Sequence, residues 1–317
     1  MIDFDLKSFS ENTDVEEYDV VIIGGGPGGI TAGIYTVQAG LRPVVIEKAI
    51  EGGMMNNTEL VENWPGTNSI RGMELSEKMA DHAKEFGVKF IGAEVVDVKT
   101  KEDKKVAILD NGKEIKGKVL IISTGSRPRL LNSKGEKEFM GKGVSYCATC
   151  DGHFFKDKEI IVVGGGNSAL DEALFLTKIV KKITVVQNLA YLTADKLLQK
   201  KLSDTGKVDY IFSSVVKEIK GDKFVNKLII LNTETNEEKE LDTEGIFVFV
   251  GLSPNTEFLK DKIPLNKWGY IEADETMETS RKGIYAVGDV RSKEIRQIVT
   301  AAADGAIAAS HAARKYF

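Results

Sequence analysis

The sequence predicts an α/β protein of two Rossmann-like, three-layer dinucleotide-binding domains, the second inserted into the first. Three observations predict it. A strand, glycine turn, helix, strand pattern occurs twice, once through Gly24 and once through Gly164. Two apolar runs ending in glycine turns, over residues 119–125 and 246–251, mark points where the chain crosses between domains. The length of 317 residues exceeds one ordinary domain and supports two cores. The boundaries expected are residues 1–126 with 254–317 for the first domain and 127–253 for the inserted one.

In the first repeat, Val20-Val21-Ile22-Ile23 reads as a parallel strand buried on both faces, because its β-branched run does not alternate with polar residues. Gly24-Gly25-Gly26-Pro27-Gly28-Gly29 follows, then a helical stretch, then the strand Pro43-Val44-Val45-Ile46-Glu47. Gly24, Gly26 and Gly29 have the spacing that turns a backbone tightly into a helix N-terminus, where N–H groups and the helix dipole favour a pyrophosphate. Glu47 ends the next strand, where a carboxylate accepts hydrogen bonds from ribose hydroxyls.

The second repeat runs Ile160-Ile161-Val162-Val163, Gly164-Gly165-Gly166-Asn167-Ser168-Ala169, a helix to about Val180, and Ile183-Thr184-Val185-Val186-Gln187. Superposing Gly24 on Gly164 places Gln187 where the first repeat has Glu47, so a neutral amide replaces the ribose carboxylate. Residues 188–195 contain no cation to meet a 2′-phosphate; the first is Lys196. Either this repeat binds nicotinamide nucleotide in an atypical way or it keeps only the fold. Further on, Gly283-Ile284-Tyr285-Ala286-Val287-Gly288-Asp289-Val290 reads as a strand ending in Gly-Asp, and a small-residue helix follows from Arg296 to about Ala313. These return the chain to the first domain.

Composition narrows the function. A net charge of −5 with acids spread along the chain argues against nucleic acid or an anionic membrane as partner. Asp3, Asp5, Glu11, Asp14, Glu16 and Glu17 are the opposite of a targeting peptide, and no apolar run is long enough to span a bilayer, so a cytoplasmic enzyme is expected. The chain has only two cysteines, Cys147 and Cys150. Such a pair closes a tight ring suited to redox cycling rather than a long structural loop. Zinc would need two further ligands, and only His82, His153 and His311 offer imidazole, with no second paired-ligand motif. No metal is expected.

Gly24 to Gly29, Glu62-Asn63-Trp64-Pro65-Gly66, Thr124-Gly125, Cys147-Ala148-Thr149-Cys150-Asp151-Gly152, Gly288-Asp289-Val290 and Arg296-Gln297 stand in an order that resembles the low-molecular-weight thioredoxin reductases over nearly the whole chain. The resemblance implies FAD bound along Gly24, Gly26, Pro27, Gly28 and Gly29, with Glu47, Gly53, Met54, Asn63, Thr124, Gly125, Gly288, Asp289, Arg296, Gln297 and Ile298. It implies Cys150 on the flavin side, Cys147 as the sulfur that attacks a thioredoxin-like partner, Asp151 as the acid that protonates a leaving thiolate, and a homodimer.

Two departures stand out. Gly52-Gly53-Met54-Met55 replaces the family's Gly-Gly-Gln-Leu, removing one polar contact expected at the flavin. The family's 2′-phosphate-binding His-Arg-Arg and following Arg correspond to Gln187, Asn188, Leu189 and Thr193. That pattern resembles the NADPH-independent, ferredoxin-dependent flavin thioredoxin reductases, so ferredoxin is the donor expected and an atypical NADH or NADPH site the alternative. A redox-responsive flavin-binding protein is a third reading. A ferredoxin dock should be basic, and from Leu176 to Lys207 seven lysines, Lys178, Lys181, Lys182, Lys196, Lys200, Lys201 and Lys207, stand against only Asp195 and Asp204, a local +5. A solvated helix face explains the same lysines equally well. Ser126 to Arg129 and Gly251 to Ser253 are the pivots expected if the inserted domain rotates.

Overall fold

The computed structural model describes residues 16–58, 60–101 and 103–317; the acids Asp3, Asp5, Glu11 and Asp14 lie outside them. Two compact units divide the chain, with Arg127–Ser253 as one and the segments that end at Ser126 and resume at Pro254 as the other.

The first unit begins β1 (Glu16–Ile23), α1 (Pro27–Gln38), β2 (Pro43–Glu47), α2 (Gly72–Glu85), β3 (Lys89–Gly92), β4 (Val95–Lys101), β5 (Lys104–Leu109) and β6 (Glu114–Ile122). The crossing strand β7 (Ser126–Pro128) leads to the second unit: α3 (Glu136–Phe139), β8 (Val144–Ser145), α4 (Ala148–Asp151), β9 (Glu159–Val163), α5 (Asn167–Leu176), β10 (Lys182–Val186), α6 (Lys196–Ser203), β11 (Val208–Ile211), β12 (Ser214–Gly221), β13 (Val225–Asn232), β14 (Glu238–Asp242) and β15 (Ile246–Val248). The chain then returns through β16 (Leu252–Pro254), which pairs with β7, to β17 (Ile284–Ala286) and α7 (Ile298–Tyr316).

Strand β6 organises the first unit. On one side it pairs in parallel with β1 along its length; on the other its C-terminal half pairs in parallel with β17 and its N-terminal half pairs antiparallel with β5, which continues to β4. Strands β2 and β3 extend the parallel part beyond β1. The sheet face carrying Val20, Ile22, Val45, Val119 and Ile121 packs on α1, α2 and α7. The opposite face, with Val21, Ile23, Val44, Ile46 and Ile122, packs on the β4–β5 ribbon and the segment containing Leu259, Ile263 and Ile271. Because both faces are covered, the strands are apolar without alternation, as the sequence pattern implied.

The second unit repeats this plan. A parallel sheet in the order β11-β10-β9-β15-β8 carries α5 and α6 on one face, and the antiparallel ribbon β12-β13-β14 covers the other. Two boundaries differ from the sequence reading. Helix α5 stops at Leu176 and the chain turns before Val180, whose N–H still reaches Leu176 O at 2.9 Å. Helix α7 begins at Ile298, where Gln297 and Thr300 form a reciprocal capping box, and runs on to Tyr316.

Candidate active site

The first glycine turn joins β1 to α1. Gly24 has φ +102°, a conformation that any side chain would strain, and a Cβ on Gly29 would lie 1.9 Å from the Gly24 carbonyl oxygen. A Cβ on Gly26, by contrast, would meet nothing within 4 Å, so the space before the N-terminus of α1 is open to a ligand. Pro27 takes the first helical position, where a missing N–H costs nothing. Glu47 Oε2 accepts the Gly25 N–H at 2.7 Å and Oε1 accepts the Ala49 N–H at 2.9 Å, which fixes the carboxylate at the rim of the turn with lone pairs to spare. Gly53 and Met54 open a 3-10 turn tied to this loop by the Gly52 N–H, which donates to Gly25 O at 2.7 Å; Met54 is exposed.

The remaining residues expected in this site lie in the same unit. Thr124 Oγ1 donates to Asn255 O and Asn255 Nδ2 donates back to Thr124 O, both at 2.8 Å, which braces the Thr124-Gly125 turn after β6. Asn63 Nδ2 donates to Gln297 Oε1 at 2.9 Å, joining two residues far apart in sequence at the start of α7. The Arg296 guanidinium stacks 4.3 Å over the Tyr270 ring, with its Nε buried and unpartnered. Burial pushes the Asp289 carboxyl above its ordinary range, against the pull of Lys293 and Arg296.

The sequence reading missed Asp304. It is buried on α7 and accepts the Gly288 N–H at 3.0 Å, Arg291 at 3.3 Å and Lys293 at 2.8 Å. The signal was there: one acid in an otherwise alanine-rich helix.

The second glycine turn is similar in backbone and different in chemistry. Gly164 has φ +125°, and the Thr193 and Ala194 N–H groups donate to Gly165 O, as Gly52 does to Gly25. Gln187 lies against the turn, buried. Its Nε2 donates to Tyr191 O at 3.3 Å and its Oε1 accepts the Asn188 N–H at 3.2 Å, so the amide serves its own loop. Among the basic residues nearby, Lys181 pairs with Glu159, Lys182 with Asp209 and Lys200 with Asp204, while Lys207 donates to the Thr177 and Val180 carbonyls. Glu159 and Asp209 lie outside the window counted from sequence. The basic surplus there falls from +5 to +3, with Lys178, Lys196, Lys201 and Lys207 standing against Asp195.

Cys147 and Cys150 are joined as a disulfide with Cα atoms 5.4 Å apart. Cys147 caps the single turn α4, and its Sγ accepts the Cys150 N–H at 3.2 Å. Asp151 ends that turn, with Oδ2 2.7 Å from the hydroxyl of Ser145. Glu172 of α5 accepts a hydrogen bond from the Ala148 N–H at the other end of the turn, and burial, with Asp171 beside it, pushes its carboxyl up to about 7. Neither Ser145 nor Glu172 was singled out from sequence. His153 is exposed, its ring tilted 40° against that of Phe154 with centroids 3.9 Å apart. Among the described residues no cluster of potential ligands for a metal ion exists, and no helix is long and apolar enough to cross a membrane.

A redox-ready cysteine pair in one dinucleotide-type unit and a complete dinucleotide turn in the other agree with one family model, described as pyridine nucleotide-disulphide oxidoreductase, which matches residues 18–305. The chain belongs to that family. Within it, a thioredoxin reductase of Bacillus subtilis is 45% identical over 92% of both chains. The crystal structure of Lactococcus lactis thioredoxin reductase matches with a TM-score of 0.91 at 43% identity, covering 94% of this chain and 98% of that one. A ferredoxin-flavin thioredoxin reductase from Clostridium acetobutylicum is more distant, with 28% identity and a TM-score of 0.52 over 95% and 98% of the two chains. The family member described here is a flavin-dependent disulfide oxidoreductase, and its cofactor is FAD. The open space before α1, the Glu47 carboxylate and the orphaned Arg296 Nε fit a dinucleotide.

Proposed function

We propose that the protein is a thioredoxin-disulfide reductase that moves two electrons from FAD to the Cys147–Cys150 disulfide and on to a thioredoxin or thioredoxin-like protein, with reduced ferredoxin as donor. The observation that carries the disulfide step is the Cys147–Cys150 bond on a capped turn with the Asp151 carboxyl beside it. FAD, when bound and reduced, supplies the two electrons. Gly24, Gly26 and Gly29 present the turn to its pyrophosphate and Glu47 its ribose acceptor; Thr124-Gly125, Asp289, Arg296 and Gln297 complete the cradle.

In the proposed cycle the entering electrons break the S–S bond, leaving one thiolate and one sulfur that takes a proton. Asp151, adjacent to Cys150, donates it. The Cys150 N–H that already meets Cys147 Sγ then steadies a Cys147 thiolate, the nucleophile for a partner's disulfide. Attack by the Cys147 thiolate breaks the partner's disulfide, forming a mixed disulfide and expelling one partner thiolate; Cys150, giving up its proton, then attacks Cys147 Sγ, which re-forms the enzyme disulfide and expels the partner's second sulfur, the partner leaving as a dithiol. The likeness to thioredoxin reductases supports thioredoxin as the acceptor; the homodimer rests on the motif resemblance alone.

The donor assignment rests on the contrast between Glu47 and Gln187. Without a carboxylate for ribose or cations for a 2′-phosphate, the second turn forgoes several charge-assisted contacts of about 1.5–3 kcal/mol each. The likeness to the C. acetobutylicum enzyme supports ferredoxin, and Lys178, Lys196 and Lys201 offer only a modest basic dock. NADPH or NADH is the second reading, favoured by the retained Gly164 turn and by the greater similarity to thioredoxin reductases not described as ferredoxin-linked. Anaerobic titration of the bound flavin separates the two. Reduced ferredoxin should bleach it and support thioredoxin reduction, whereas millimolar NADPH or NADH leaves it oxidised on the timescale of turnover. Rapid bleaching by micromolar nucleotide would sink the ferredoxin assignment.

A further inference from the structure

We infer that Ser145 is a positioning residue for proton delivery to the dithiol, acting through Asp151. The inference rests on the reading of Asp151 as the proton donor. Ser145 is 4% exposed and sits in β8, where its backbone pairs with Phe247 of β15 in the parallel sheet. The following residue is anchored too, because Tyr146 Oη donates to the buried Glu136 at 2.7 Å. The Ser145 hydroxyl is therefore a fixed point at the base of the cysteine turn.

That hydroxyl makes three contacts. Its oxygen accepts the Cys147 N–H at 3.1 Å, and its single hydrogen has two acceptors in reach, Asp151 Oδ2 at 2.7 Å and Cys147 O at 3.1 Å. The shorter contact is to the carboxyl. One side chain thus bridges the backbone of the cysteine that caps the turn and the side chain of the acid that ends it. With Oδ2 engaged by the hydroxyl, the proton to be given sits on Oδ1.

Proton and electrons balance as follows. Two electrons enter the disulfide and break the S–S bond; one sulfur remains a thiolate, and the other takes the Oδ1 proton to become a thiol. Asp151 is left as a carboxylate and is reprotonated from solvent. As the carboxylate forms, the hydrogen bond from Ser145 becomes charge-assisted and strengthens about twofold. An interaction stronger after proton transfer than before it lowers the barrier instead of merely holding the ground state.

The test uses FAD-loaded enzyme with reduced methyl viologen, a donor that needs no dock, and either oxidised thioredoxin or 5,5′-dithiobis(2-nitrobenzoate) as acceptor. Ser145→Ala should lower kcat roughly 10- to 100-fold while KM for the acceptor stays within about twofold. Ser145→Thr, which keeps the hydroxyl, should restore most of the rate. Ser145→Ala on top of Asp151→Asn should cost nothing more than Asp151→Asn alone, since the hydroxyl acts through the carboxyl. FAD content and melting midpoint are measured for each variant, and Ser145→Gly repeats the deletion should Ser145→Ala not fold. A wild-type rate in the deletion variant, with Asp151→Asn slow, overturns the inference and leaves the Asp151 reading standing. Multiplicative losses in the double variant overturn it too. A wild-type rate in Asp151→Asn removes the proton-donor reading itself and the inference with it.

Discussion

Glu172 offers a direct test of how the cysteine turn is built. Burial is the main cause of its upward shift from an ordinary 4.5 to about 7; Asp171 adds repulsion, and the hydrogen bond from Ala148 opposes both. The folded protein therefore binds this proton more tightly than the unfolded chain does. Below the unfolded value both states are protonated and the residue costs nothing. As pH rises through 4.5 toward about 7 the unfolded chain ionises first, so stability falls, and the full cost, about 3 kcal/mol, stands above the folded value. Glu172→Gln removes the ionisation and keeps a carbonyl to accept the Ala148 N–H. The variant should match the wild type near pH ~4 and exceed it by about 3 kcal/mol near pH ~8, a rise in melting midpoint on the order of 5–10 °C. Thermal unfolding of both proteins with saturating FAD across this range is the assay. A difference independent of pH would mean that Glu172 ionises normally, and the argument from burial would be wrong.

Other outcomes follow from the site. Cys150→Ser should abolish transfer from flavin to disulfide, while Cys147→Ser leaves a Cys150 thiolate able to give a long-wavelength charge-transfer band with FAD; the band appearing in Cys150→Ser would reverse the two roles. Gly29→Ala should purify without FAD or fail to fold, because its Cβ would lie 1.9 Å from Gly24 O, and a normal ratio of flavin absorbance to protein would show that the turn relaxes. Asp304→Ala leaves the Gly288 N–H, Arg291 and Lys293 without their shared acceptor, so FAD affinity should fall at least tenfold, read by fluorescence of released flavin.

The repeated strand and glycine-turn pattern located both parallel sheets because period and turn chemistry are local properties. Runs such as Val20 to Ile23 and Ile160 to Val163 are apolar throughout because both sheet faces are covered, and a positive φ at Gly24 and Gly164 requires glycine. The antiparallel ribbons β4–β5 and β12–β14 went unread. Strands β4, β12 and β14 carry lysines and acids on an exposed side, for example Lys217 against Glu238 and Lys227 against Glu240, so their pattern resembles solvated loop. The lysine cluster of residues 176–207 was overcounted for a related reason: Glu159 and Asp209 offset two of its charges from strands outside the window.

Residue order alone carried the glycine turns, the contrast of Glu47 with Gln187 and the placing of Asp151 after Cys150, since each depends on chain spacing or on which functional group is present. Folding decided the partnerships across the chain. Asn63 meets Gln297, Asp304 holds Gly288, and Ser145 and Glu172 close on the cysteine turn from a strand before it and a helix after it. Such contacts have no sequence period. They arise where separate elements bury their polar groups together, and a buried donor or acceptor takes whichever partner the packing brings within reach.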